Sequence, residues 1–161
     1  MSADTLTGGT GKILGKYTLV FDNGNNQATS TNEAIKAVLS SIKVTFSNTA
    51  TVTNPYLYIE GFSGDKAQVT DIIDGTTTST ATFDSTALGN LVDSGEVDGT
   101  ITLVVAGQVT TAGQNQYVQT SLANLAGGDI SYDPDGSSDT GAAITNMLLP
   151  YTSVDGATLS N

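Results

Sequence analysis

The chain has 161 residues, with no Cys, His or Trp, and its five basic residues are all Lys. Without His and Cys there are no nitrogen or sulfur metal ligands and no Ser-His or Cys-His nucleophile pair; without Arg there is no bidentate clamp for phosphate or carboxylate. A formal charge of −11 repels nucleic acid rather than gathering it, so no nucleic-acid partner is expected.

Thirteen of the sixteen acids are Asp, Thr is the most frequent residue and there are 18 Gly. Asp suits turns and caps, Thr suits pleated strands and Gly suits tight connections. This composition predicts an all-β protein: a single β-sandwich or jelly roll with one or two short helices. Residues 1–11 are small, polar and aperiodic, which predicts a flexible N-terminal arm, ordered by a partner, ahead of one sandwich domain over residues 12–161. The chain opens on "MSADTLTGGTGK", which has no apolar stretch of signal-peptide length, and no run reaches the ~18 apolar residues of a membrane span. The expectation is a protein made in the cytoplasm that leaves it, if at all, outside the secretory route, with no membrane partner.

In chain order, "KILGKYTLVFD" predicts a strand with Tyr17, Leu19 and Phe21 on one face, ending in the turn "DNGNN". Residues 30–42, "STNEAIKAVLSSI", predict the one good helix. Ser30 and Glu33 form a capping-box pattern, and Ile35, Val38, Leu39 and Ile42 make one apolar stripe. "KVTFSNT" predicts a strand with Val44 and Phe46 inward. "NPYLYIEGF" predicts another, started by Pro55, with Leu57 and Ile59 facing opposite to Tyr56 and Tyr58. "AQVTDIID" and "TATFD" are two short strands.

Asp84 or Ser85 then caps a helical turn in which Ala87, Leu88, Leu91 and Val92 share a face. "TITLVVAGQVT" is the strongest strand, buried on both sides at Val104 and Val105. "QYVQTSLANLAGG" and "DISYD" are weaker strands. "GAAITNMLLPY" is a helical turn or an apolar strand, ended by Pro150.

Phe83, Asp84, Leu88, Leu91, Gly95 and the strand from Ile101 to Val105 follow an order that resembles jelly-roll domains of the lectin and carbohydrate-binding type. The resemblance implies that the Asp-led turn crosses one end of the sandwich and that the following strand returns through its middle. It implies no activity.

Chemistry is sparse. Asp133, Asp135 and Asp139 alternate around Gly136 as in calcium loops, but Pro134 intervenes and the terminal Glu is missing, so an ion-free surface turn is expected. Glu60, Asp65, Glu96 and Asp98 are the acids a glycosidase would need, yet each falls at a strand end or turn and no Trp is present to stack a sugar. Lys12, Lys16, Lys36, Lys43 and Lys66 have no Ser-Lys motif around them. "TGGTGK" lacks the preceding strand and the spacing of a phosphate loop. Tyr56 and Tyr58 form either a sugar-stacking face or a plain sheet covering. No catalytic, metal or cofactor residue is assigned, and no enzyme is expected.

A Cys-free, His-free, acidic β-domain rich in Thr, Gly and Ala, with a Gly-rich arm, resembles the small structural proteins of tailed-phage virions, above all head decoration (cement) proteins. That resemblance implies a non-enzymatic virion protein that binds the major capsid protein as a homo-oligomer, a trimer by preference. The alternatives are a tail-tube or tail-tip subunit and a carbohydrate-binding or adhesin module.

Overall fold

A computed structural model describes residues 5–21, 36–61, 66–69, 72–73, 79–89, 96–97, 99–111, 113–123, 125, 129–133, 142–143 and 153–160. Thirteen strands and one short helix are formed by these residues: β1 (Gly9–Phe21), β2 (Lys36–Leu39), β3 (Ser41–Asn48), β4 (Thr51–Ile59), β5 (Ala67–Gln68), β6 (Ile72–Ile73), β7 (Ser79–Asp84), α1 (Ser85–Leu88), β8 (Glu96–Val97), β9 (Gly99–Thr110), β10 (Tyr117–Ala123), β11 (Ile130–Asp133), β12 (Ala142–Ala143) and β13 (Ser153–Ser160). The first sheet runs β1-β9-β4-β5, with β6 also on β4; the second runs β13-β10-β3-β7; a smaller one runs β12-β11-β2-β8. All strand pairs are antiparallel. The chain crosses between the two large sheets, leaving β3 for β4 and β9 for β10. This is the interleaving of an all-β sandwich.

Alternation explains the faces. Ile42, Val44 and Phe46 on β3, Leu57 and Ile59 on β4, and Val118 and Leu122 on β10 all point into one core. The residues between them lie on the opposite face, as the two-residue period of a strand requires. Tyr17 and Leu19 are buried on β1 as expected, and Val104 and Val105 are fully buried on β9. In the first sheet β9 lies between β1 and β4. In that turn Asp84 is the N-cap, its carboxylate accepting the Ala87 N–H at 3.0 Å, and Leu88 is buried. Leu91, Val92 and Gly95 lie outside the described residues.

Three expectations are corrected. The helix over residues 30–42 is not formed where the chain is described: residues 36–39 and 41–48 are strands β2 and β3. Leu39 and Ile42 are both buried, three residues apart, because the backbone breaks at Ser40. There the N–H groups of Ser40 and Ser41 both donate to the Asp129 carbonyl. A strand break re-phases the side chains and so mimics a helical stripe; ladder pairing of β2 with β11 and β8, and of Ser41 and Ile42 with β7, outweighs local helix preference. Ser30, Glu33 and Ile35 lie outside the described residues.

The arm is the second correction. Leu6 is 3% exposed and belongs to the core cluster. Its N–H donates to the Ser160 carbonyl at 2.9 Å, Thr5 bridges Ser160, and β1 already begins at Gly9. One buried Leu in a polar stretch is enough to dock residues 5–11, so they are part of the body.

Third, Pro55 lies inside β4 rather than at its start. It falls in a register shift between Thr53 and Tyr56, beside Asn54 at φ 48°, where β6 pairing has ended and β5 pairing has not begun. A residue without an N–H fits a strand at such an irregularity.

Candidate functional site

The acids do not converge. Glu60 ends β4 and pairs with Lys16 across the sheet, both side chains about half exposed. That bond is the first cause of a raised Lys16 pKa. Glu96 lies on β8 in the small sheet, while Asp65 and Asp98 fall outside the described residues. Asp133 closes β11 opposite Lys36; Asp135 and Asp139 lie outside the described residues. Among the described residues no three Asp or Glu side chains gather as a metal site would need. No described helix is long and apolar enough to cross a membrane.

The lysines are dispersed as well. Lys12 donates to the Thr7 hydroxyl at 2.8 Å, so "TGGTGK" is the start of an edge strand and not a phosphate loop. Lys43 sits 3.6 Å from Asp129. The Lys66 ammonium lies 4.5 Å from the centre of the Tyr56 ring.

Two surfaces remain. One is the outer face of the β1-β9-β4 sheet. Tyr56 and Tyr58, with ring centroids 6.2 Å apart and planes at 32°, face away from Leu57 and Ile59. They stand opposite Ala106 and Val104, whose other neighbours are Ile13 and Lys16. Val104 is fully buried although it shares this outward face, with Tyr58 and Lys16 as its ladder neighbours. Lys66 already occupies one ring face of the pair.

The other surface is the flank where β1 and β13 end their sheets on the same side of the sandwich. A buried polar chain fastens the two strands there. The Gly156 N–H donates to the Tyr17 hydroxyl, which donates to Thr120 Oγ1 at 2.8 Å; Thr120 in turn donates to the Leu14 carbonyl at 3.3 Å. Burial, the largest cause, raises the Tyr17 pKa above its usual 10.0. Register shifts on β1 near Leu14 and on β13 near Gly156 make room for the chain. A Cβ on Gly15 would lie 2.2 Å from Thr120 Oγ1, and one on Gly156 would lie 2.9 Å from the Tyr17 hydroxyl. Nothing local in "LGKY", "QTS" or "DGA" signals this cluster, because its members are brought together by the sandwich crossing.

Outside this clasp β13 is thinly covered. Ser153, Val154, Asp155, Ala157, Thr158 and Ser160 are exposed, so both faces of the strand meet solvent. Among the described residues its outer edge is met only by Thr5 and Leu6, and the outer edge of β1 is unpaired. What this arrangement offers is backbone donors, backbone acceptors and apolar area. No protein-family model, curated protein or solved structure matches the chain.

Proposed function

We propose that the chain is a non-enzymatic structural component of a viral particle: a capsid decoration protein, made in the host cytoplasm, that binds the outer lattice of the major capsid protein. The observation that carries this reading is the β1/β13 flank, where, among the described residues, two strand edges and their exposed side chains stand open on a chain without Arg, His, Cys or Trp. A surface of that kind binds by area and by backbone pairing. Such a protein stabilises an assembled lattice by binding it better than free subunits. The test is mass spectrometry of purified particles, followed by addition of the purified protein to shells that lack it. Presence at a fixed stoichiometry and a rise in shell melting temperature are expected; absence from particles refutes the reading.

The Tyr56–Tyr58 pair on the outer face favours a second reading, a carbohydrate-binding or adhesin module. Stacking on Tyr56 would require Lys66 to leave the ring it covers. Saturable glycan binding abolished by Tyr58→Ala would favour this module over the virion protein.

A further inference from the structure

We propose that β13 is a terminal latch: a strand that opens and closes on the sandwich as a unit, releasing residues 5 and 6 with it, while the rest of the fold stays formed. The proposal goes beyond the virion reading and stands on the fold alone. Among the described strands of six residues or more, β13 alone has no buried residue; Gly156 and Leu159 are half-buried and the rest are exposed. The other edge strand of the same sheet, β7, buries Ala81 and Phe83 completely. Few buried apolar contacts and a solvent-exposed ladder mark the segments that open first, so β13 lies at the weak end and β7 does not.

What holds β13 is mostly polar. Its ladder to β10 runs from Tyr117↔Ser160 to Ala123↔Ser153 across one register shift. Ser121 donates to the Asp155 carboxylate at 2.7 Å, the Gln119 side-chain amide donates to the Gly156 carbonyl at 3.3 Å, and the Gly156 N–H donates to the Tyr17 hydroxyl. Release of β13 returns its own groups to water and leaves the hydroxyls beneath it paired. Tyr17 still donates to Thr120, and Thr120 to the Leu14 carbonyl. Opening therefore leaves neither hydroxyl without an acceptor, and so avoids the cost of an unsatisfied buried donor.

The N-terminal residues depend on the same strand. The Leu6 N–H donates to the Ser160 carbonyl at 2.9 Å, and Thr5 bridges Ser160 in parallel. Loss of β13 removes both contacts, so the Leu6 amide is freed whenever the latch opens. Gly156 sets how well the latch closes. A Cβ there would stand 2.9 Å from the Tyr17 hydroxyl and 3.0 Å from the Thr120 carbonyl oxygen, a buried ring and a backbone atom. A side chain at 156 thus wedges the closed form and not the open one.

The test is amide hydrogen exchange of the full chain, read residue by residue by NMR, in water and in low urea. In wild type the Leu6 and Gly156 amides should be protected to the same degree, and at least about tenfold less than those of Val44, Val104 and Val105 in the sheet centres. Their exchange should depend little on urea, because the opening exposes little surface. Gly156→Ala should speed exchange at residues 6 and 156 by one common factor of about tenfold or more. Phe83→Leu, on β7, weakens the closed and open forms alike; it should speed the central amides and leave residues 6 and 156 unchanged. Equal protection of β13 and the sheet centres overturns the proposal, as does a Leu6 amide that stays protected while residue 156 exchanges. It is also overturned by Phe83→Leu acting on residues 6 and 156 as strongly as on the centre, or by a Gly156→Ala chain that does not fold.

Discussion

Gly15→Ala tests whether the polar chain between the sheets is as tight as its geometry states. The new Cβ would lie 2.2 Å from Thr120 Oγ1, with the Tyr17 ring and hydroxyl next at 3.2 and 3.3 Å. Side-chain carbons do not approach an oxygen that closely, so the hydroxyl must move by close to an ångström. Thr120 is fully buried and its hydroxyl both accepts from Tyr17 and donates to Leu14. Rotating it away forfeits two hydrogen bonds at about 1 kcal/mol each, on top of overpacking of about 1–3 kcal/mol. The backbone of Gly15 is not in the left-handed region, so Ala itself is compatible there and recovers about 0.4–1 kcal/mol from the unfolded chain. The expected net loss is about 2–4 kcal/mol.

Equilibrium denaturation in urea measures it, read as a fall in midpoint at constant slope. Thr120→Ala supplies the control, since it removes the atom the new methyl meets. On its own it should cost about 1–3 kcal/mol, leaving the buried Tyr17 hydroxyl short of a partner. In that background Gly15→Ala should cost under about 1 kcal/mol, a coupling of roughly 1–3 kcal/mol between adjacent sites. A neutral or stabilising Gly15→Ala, or strict additivity in the cycle, refutes the reasoning.

Leu6→Ala should destabilise the isolated domain by about 2–5 kcal/mol, as truncation of a core Leu does, and deleting residues 1–11 should cost at least as much in the same melts. The raised Tyr17 pKa makes the folded state hold its proton longer than the unfolded one. Its stabilisation is therefore full below pH 10 and is lost as pH rises above that value; stability measured from pH 8 to 11 should fall less steeply in Tyr17→Phe. Lys16→Met breaks an exposed ion pair with Glu60 and should leave the thermal midpoint unchanged within error.

The faces of the strands were legible wherever alternation was clean. Val44 and Phe46, and Leu57 and Ile59, stand where the two-residue period puts them, Val104 and Val105 are buried on both faces of their unbroken apolar run, and Asp84 caps the turn its side chain suits. What failed were places where tertiary pairing re-phases a local pattern. The stripe through Leu39 and Ile42 has helical spacing, but the break at Ser40 produces the same spacing from two strands. Leu6 sits in a Gly/Thr stretch with no period, and only the neighbouring Ser160 carbonyl gives it a place. Residues 117–123 read as a weak strand because small polar residues dilute the pattern. Their strand lies inside its sheet, between β13 and β3, since Val118, Thr120 and Leu122 alternate into the core. The Tyr17–Thr120–Gly156 chain joins residues more than 30 positions apart, a distance over which no sequence period operates. The flank was invisible for the same reason: edges are a property of sheet order.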